Sequence, residues 1–148
     1  MKMTHDTERY VETMRAFYGE FTVPVGAERA AELHARFFDE SERLHVPGQG
    51  VKDFKYHQET EYRVFGAFPD LTMQVDDIFG ASDKVVVRFT LTGTNTGTLF
   101  GLPPTGRPVV MTGIGIYRFA PNGKIVEEWY ENDAIGQMRQ LGLLPEGG

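Results

Sequence analysis

Glu131 and Asp133 are two carboxylates with the spacing of an acid/base pair. They stand two residues apart in a segment with the pattern of a strand, so both side chains would point to one face, roughly 7 Å apart. Trp129 extends the same face with a large apolar side chain. Burial beside an apolar wall raises the pKa of a carboxyl group, and a neighbouring carboxylate raises it further. Such a group can act as a general acid or base near neutral pH.

A hairpin would supply the rest of this wall. Asn122-Gly123 is the strongest turn signal in the chain. Strands paired around it place Ile116 opposite Trp129 and Ile114 opposite Glu131. We therefore predict a substrate pocket on this face, completed by aromatic residues of other elements. The predicted substrate-binding residues are Trp129, Glu131, Ile114, Ile116, Phe54 and Phe89.

Both carboxylates also have a purely structural interpretation. Asp133 stands one residue before a helical pattern, where aspartate is a preferred N-cap. One residue can cap a helix and also exchange a proton, so the two roles of Asp133 are compatible. A bulge in the strand would instead turn Glu131 to solvent. The pattern alone leaves these alternatives open.

The four histidines form no metal-binding motif, because no HxH or HExxH spacing occurs. His34 and His57 fall on predicted helices, and we expect His34 to fill the core or its edge. His45 precedes Pro47 in a predicted loop and is the best candidate for a pocket histidine, the alternative being a solvated loop side chain. The chain has no cysteine, P-loop or dinucleotide fingerprint. We therefore predict neither a metal nor a cofactor.

The elements that must position these residues divide the chain into a helical half and a strand half. Apolar residues at helical spacing predict helices over 6–21, 27–38, 51–68 and 134–141. The segment 39–50 is polar and contains glycine and proline, so we predict a loop there. Alternating apolar and polar residues predict strands over 71–76, 85–92, 109–119 and 124–132. This order predicts an α+β fold, with a bent antiparallel sheet covered by helices on one face.

The composition of the 148-residue chain restricts the classes of function. Its hydrophobic fraction of 41% and aromatic fraction of 12% favour one globular domain, residues 1–148, with room for a small-molecule pocket. The formal charge is −6 and no cluster of basic residues occurs, so we do not expect nucleic acid as a partner. No apolar run reaches the ~20 residues of a membrane span, and the polar segment 1–7 has no signal-peptide pattern. We therefore expect a cytoplasmic protein.

Six short motifs occur in a fixed order between residues 67 and 142. They are Ala67-Phe68-Pro69-Asp70-Leu71, Gly93-Thr94-Asn95-Thr96-Gly97, Gly101-Leu102-Pro103-Pro104-Thr105-Gly106-Arg107, Gly113-Ile114 with Ile116-Tyr117-Arg118, Gly123-Lys124-Ile125-Val126-Glu127-Glu128-Trp129, and Asp133 with Gln140-Leu141-Gly142. In this order and at this spacing they resemble the SnoaL-like polyketide cyclase family, part of the nuclear-transport-factor-2-like superfamily. The resemblance covers about residues 44–143.

The resemblance implies a cone-shaped fold, with three N-terminal helices and a short C-terminal helix packed against a strongly bent antiparallel sheet. It implies an intramolecular aldol condensation on an apolar, carbonyl-containing substrate, without metal or cofactor. By position in the family pattern, Asp133 would be the acid/base residue and His45 a pocket histidine. We further expect His45, as a pocket hydrogen-bond donor, to stabilise the enolate oxygen. The superfamily also includes isomerases, epoxide hydrolases, which here would use Asp133 with Glu131, and non-catalytic binding domains.

The resemblance further implies a homodimer formed through the outer face of the sheet. On our sequence pattern that face mixes polar with apolar side chains, a composition suited to an interface. The residues predicted for it are Arg88, Thr90, Thr92, Met111, Tyr117 and Phe119.

Gly115 and Glu131 depart from the family pattern. Gly115 stands where members often carry a polar or charged side chain, and Glu131 where they often carry an apolar or aromatic one. These departures predict a pocket that is emptier at Gly115 and more polar near Asp133. For this reason the particular polyketide substrate of other members is not carried over.

Overall fold

The computed structural model describes residues 5–145, so residues 1–4 of the polar N-terminal segment and residues 146–148 lie outside the described chain. The helices are α1 (His5–Gly19), α2 (Gly26–Phe37), α3 (Phe54–Ala67) and α4 (Ala134–Gln140). The strands are β1 (Phe38–Val46), β2 (Gly50–Lys52), β3 (Thr72–Ala81), β4 (Lys84–Thr94), β5 (Pro108–Phe119) and β6 (Ile125–Asn132). The predicted α+β class is confirmed. Within residues 5–145 no helix is long and apolar enough to cross a membrane.

The six strands form one sheet in the order β2-β1-β6-β5-β4-β3. Its neighbouring strands are antiparallel except β1 and β6, which run parallel, so the sheet is mixed where we predicted an antiparallel one. Register shifts interrupt β3 between Val75 and Asp77 and β6 between Ile125 and Glu127. Such bulges bend strands and increase their twist, as a cone-shaped sheet requires.

Strand β1 was predicted as loop, because five consecutive polar residues, 39–43, hide its alternation. Its buried side chains are those of Phe38, Glu42, Leu44 and Val46, and the register against β6 shifts between Phe38 and Arg43. Glutamate is almost never fully buried unless it is paired, so a pattern of apolar residues does not reveal Glu42 as an inward position.

The predicted register of β5 on β6 is confirmed, whereas the predicted face is wrong. Ile116 pairs with Trp129 and Ile114 with Glu131, but these side chains lie on the outer face of the sheet, where Ile114 is 48% exposed. The helices cover the opposite face, which carries Glu128. Strand β5 has apolar residues on both faces, so alternation does not identify the covered face.

Because the helices cover the face that we predicted to be outside, part of the predicted dimer surface lies in the core. Met111, Tyr117 and Phe119 are buried under the helices. Arg88 lies opposite Ile114 on the outer face. The expected empty space at Gly115 is also filled, because a Cβ atom there would lie 3.0 Å from the ring of Tyr117.

Candidate functional site

A cavity of about 180 Å³ lies between the helices and the inner face of the sheet. It exceeds the roughly 150 Å³ of an apolar cavity that accepts benzene. Most of its wall is aromatic and aliphatic, and its polar groups come from α3 and β6. The lining residues are Phe17, Tyr18, Phe38, Leu44, His57, Thr60, Glu61, Val64, Phe65, Leu71, Met73, Phe89, Leu91, Met111, Tyr117, Glu128, Tyr130 and Asn132.

Glu128 presents a buried carboxyl group to this cavity. Strand β6 alternates beyond its register shift, so Glu128 and Tyr130 point inward while Trp129 and Glu131 point outward. Glu128 is 9% exposed, and no hydrogen bond from residues 5–145 counters the effect of burial on its carboxyl group. Burial raises the pKa of Glu128 to about 8. The group can therefore exist in either protonation state near neutral pH, as a general acid or base requires.

Two tyrosines close the cavity beside Glu128. The hydroxyl oxygens of Tyr18 on α1 and Tyr117 on β5 are 2.5 Å apart and share a hydrogen bond. Burial raises the pKa of both hydroxyl groups, so both stay neutral at physiological pH. Tyr130 lies two residues after Glu128 on the same strand, and burial raises its pKa to about 12. These groups offer neutral hydrogen-bond donors in an apolar wall.

Helix α3 contributes His57 and Glu61 from the face that it turns to the cavity. Their i, i+4 spacing places the two side chains together, and His57 Nε2 lies 3.2 Å from Glu61 Oε1. Asp53 fixes the start of the helix, because its carboxylate accepts a hydrogen bond of 2.9 Å from the Tyr56 backbone N–H.

A buried network lies behind His57. Glu42 Oε1 is 2.6 Å from His34 Nε2 and 2.9 Å from His57 Nδ1, and the Glu42 side chain is completely buried. On the far side of the His34 ring, Gln58 Nε2 contacts His34 Nδ1 and also donates to the carbonyl oxygen of Ala31 at 3.0 Å. An amide N–H donor fixes His34 Nδ1 as an acceptor, so His34 Nε2 carries the proton that it donates to Glu42.

The network separates the charges of its members. Burial lowers the pKa of His34, so this ring is neutral. For Glu42, burial alone would raise the pKa, but hydrogen bonds from His34 and His57 hold it below its ordinary value. For His57, burial alone would lower the pKa, but hydrogen bonds to Glu42 and Glu61 raise it well above the ordinary value. The network thus combines an ionised Glu42 with a protonated His57.

His34, Glu42 and His57 are also the residues that could hold a metal ion, since their ligand atoms all lie within 4.8 Å of one another. A metal ion bound there would displace the protons that His34 and His57 donate to Glu42. The two imidazole rings are tilted against each other, with centroids only 4.0 Å apart. The geometry is that of a hydrogen-bonded network, which no local pattern in the sequence predicts.

Five of the predicted site residues do come together, but on the outer face of the sheet. His45, Ile114, Ile116, Trp129 and Glu131 line an open groove of about 450 Å³. The rings of His45 and Trp129 stack with centroids 4.8 Å apart, and His45 Nε2 lies 2.7 Å from Glu127 Oε2. This groove is separated from the inner cavity by the sheet, so these residues do not surround a buried pocket.

Asp133 lies at the end of β6 and lines neither the inner cavity nor the outer groove. Its side chain is exposed and accepts a hydrogen bond of 2.9 Å from the Gly136 backbone N–H, so the predicted N-cap of α4 is confirmed. The expected position of Asp133 inside a cavity with Trp129 is wrong. Its expected catalytic role is not tested by this placement and stays a prediction.

The two remaining predicted residues have different positions. Phe89 lines the inner cavity, and its substrate-binding role stays a prediction. Phe54 is half-buried and packs on the ring of His34, at 4.7 Å between centroids, behind the cavity wall.

Glu128, His57, Glu61 and Glu42 are not among the site residues predicted from the sequence. The sequence did indicate the orientation of Glu128 relative to Trp129. The two residues are consecutive in one strand, so their side chains point to opposite faces of the sheet. The clustering of Glu42 with His57 had no local signal, since it joins β1 to α3 across the core.

The family model of the SnoaL-like polyketide cyclases matches residues 11–141. No curated protein matches the chain significantly. Among solved structures, IdmH from Streptomyces antibioticus, provisionally described as a polyketide cyclase, is 27% identical with a TM-score of 0.74, covering 90% of this chain and 98% of that chain.

Two further structures share the fold at lower identity. AclR from Streptomyces galilaeus, provisionally described as a hydroxylase, has a TM-score of 0.82 at 21% identity, covering 95% of this chain and 89% of that chain. A protein from Jannaschia sp. CCS1, provisionally described as a SnoaL-like polyketide cyclase, has a TM-score of 0.81 at 24% identity, covering 98% of this chain and 99% of that chain.

Proposed function

The chain belongs to the SnoaL-like polyketide cyclase family, and we propose that it is a cyclase or isomerase that performs acid/base chemistry α to a carbonyl group inside the inner cavity. The observation that carries this proposal is the Glu128 carboxyl group, which is buried in an apolar wall with its pKa raised to about 8. A carboxylate with such a pKa is a far stronger base than an exposed glutamate.

In this proposal Glu128 carries the proton through the reaction. Its carboxylate takes a proton from the carbon next to a substrate carbonyl, the C–H electron pair moves into the carbonyl, and an enolate forms. For ring closure, the enolate carbon attacks a second carbonyl of the same substrate, and the resulting alkoxide recovers the proton from Glu128. For isomerisation, the proton returns to a different carbon. Each route regenerates the carboxylate and needs only the side chains of the chain itself.

The shape and polarity of the cavity support an apolar substrate. Aromatic side chains form much of its wall, including Phe17, Phe65 and Phe89, and the volume of about 180 Å³ accepts a ring. The cavity carries no lysine or arginine among the described lining residues, which disfavours a phosphate or a polyanion. A small carbonyl compound with an apolar body fits these features best.

Deuterium exchange tests this function without knowledge of the natural substrate. Acetophenone in D2O is the probe, and proton NMR follows the replacement of its methyl protons. We expect saturable exchange with the wild-type chain and a loss of roughly 10²–10⁴-fold in Glu128→Gln, which keeps the shape of the side chain but cannot carry the proton. Glu131→Gln is the matched control, because it changes an exposed glutamate on the outer face of the same strand. Equal exchange rates in the two variants would refute the proposal.

A further inference from the structure

His57 is the cationic group of the inner cavity. The described residues that line the cavity include His57 and Glu61 but no lysine or arginine. The two nitrogens of His57 face different carboxylates, with Nδ1 2.9 Å from Glu42 Oε1 and Nε2 3.2 Å from Glu61 Oε1. The imidazole therefore joins a carboxylate in the core to one at the cavity wall.

The two carboxylates around His57 are not equivalent. The Glu42 side chain is 0% exposed and receives hydrogen bonds from both His34 and His57, so it cannot leave the ring. The Glu61 side chain is 22% exposed and extends from the same helix as His57. Among the described residues, His57 is its hydrogen-bond partner. Glu42 is a fixed counter-ion, whereas Glu61 is partly exposed and is held at Nε2 by a single hydrogen bond among the described residues.

We propose that the His57 imidazolium is the anion-binding group of the cavity, and that an enolate or phenolate oxygen of the bound molecule takes the place at Nε2 that Glu61 occupies. This inference rests on the proposed function, because proton removal next to a carbonyl creates such an oxygen. Exchanging one oxyanion for another at Nε2 leaves the charge balance around His57 unchanged. A preorganised cation in an apolar site stabilises developing negative charge more strongly than it would in water.

Gln58, His34 and Glu42 are positioning residues in this arrangement. Gln58 fixes the tautomer of His34, and His34 then donates its remaining proton to Glu42. The negative charge of Glu42 is thereby held against Nδ1 of His57. The groups that face His57 are therefore Glu42 from β1, His34 from α2, Glu61 from its own helix and Glu128 from β6.

Binding of 4-nitrophenol tests the inference, because its phenolate absorbs visible light and its neutral form does not. We expect the wild-type chain to bind the phenolate in preference to 4-nitroanisole, which has a similar shape and cannot ionise. Glu42→Gln removes the fixed charge but keeps the oxygen that contacts both rings, and we expect phenolate affinity to fall by about 10–100-fold. Glu61→Gln removes the competing carboxylate, and we expect phenolate binding at least as tight as in the wild type.

The inference requires that Glu42→Gln weakens phenolate binding and that Glu61→Gln does not. Equal weakening in both variants, or no weakening in Glu42→Gln, would overturn the inference. Nitrogen-15 NMR of the wild-type histidines gives a second measurement that needs no variant. We expect both ring nitrogens of His57 to carry protons at pH 7, and a neutral His57 at that pH would also overturn it.

These measurements fail independently of the proposed function. Phenolate binding and nitrogen-15 shifts need no turnover, so they can succeed when Glu128→Gln keeps full exchange activity, which would refute the proposed chemistry alone. Conversely, loss of exchange in Glu128→Gln together with phenolate binding that does not depend on Glu42 would refute the role of His57 alone.

Discussion

Glu128 and Glu131 lie three residues apart on β6, yet the carboxyl group of Glu128 is enclosed in the inner cavity and that of Glu131 is exposed on the outer face. The sheet separates two chemically equal groups into different dielectric environments. The pKa of Glu128 is raised to about 8 by burial. The pair therefore gives a direct comparison of what burial does to one residue type on one strand.

The pH dependence of catalysis should report Glu128. The group must be ionised to accept a proton, so we expect kcat/KM for acetophenone exchange to rise with pH and to level off above about 8. Initial rates between pH 5 and 9 measure this profile. A rate that is already constant above pH 6 would mean that the base has an ordinary carboxyl pKa and is not Glu128.

The stability of the fold should fall with pH because of the same group. Between the ordinary pKa of glutamate and about 8, Glu128 is ionised in the unfolded chain but protonated in the folded one. Folding then takes up a proton, so the free energy of unfolding decreases as pH rises through this window. Glu128→Gln has no such ionisation, and we expect its Tm to exceed that of the wild type increasingly between pH 5 and 8. A constant Tm difference would contradict the raised pKa.

The buried Glu42 carboxylate should contribute strongly to the free energy of unfolding. Glu42→Ala leaves the protonated His57 without its buried counter-ion, and breaking a buried pair in this way costs about 3–5 kcal/mol. Glu40→Ala is the matched control, because Glu40 is an exposed glutamate on the same strand. Urea unfolding at pH 7 measures both variants. A loss below about 1 kcal/mol in Glu42→Ala would show that the network contributes little to stability.

Substitutions of Asp133 separate its cap from its expected catalytic role. Asparagine is also a good N-cap, so Asp133→Asn should keep the bond to Gly136 and, if Glu128 is the acid/base group, the exchange activity as well. Asp133→Ala should lose about 1 kcal/mol of stability. Thermal unfolding and exchange rates are measured on both variants. A large loss of activity in Asp133→Asn would restore Asp133 as the acid/base residue.

A homodimer stays a prediction. Its interface is now expected on the face of the sheet that the helices leave uncovered. Val110 is 52% exposed and Ile114 48% exposed on that face. We expect light scattering to give twice the 16.7 kDa of one chain, and Ile114→Asp to shift the mass toward the monomer. A monomeric mass for the wild type at all accessible concentrations would contradict the prediction.

Local signals in the sequence determined most of the elements and several of their contacts. The Asn122-Gly123 turn fixed the register of β5 on β6, so the pairs Ile116 with Trp129 and Ile114 with Glu131 were predicted correctly. The N-cap at Asp133 was equally local. Turns and caps depend on residues within a few positions, and for that reason one sequence specifies them.

Only the tertiary structure decided which face of the sheet the helices cover. Strand β5 is apolar on both sides, and the bulge before Glu127 places Ile125 and Glu128 on one face at odd spacing, so periodicity gave the wrong side. The buried Glu42 likewise needed His34 and His57 from two helices to satisfy it. A carboxylate is stable in the core only with such partners, and these come from distant positions in the chain. The candidate site was therefore visible in the sequence as residue types, whereas their convergence around one cavity arises from packing.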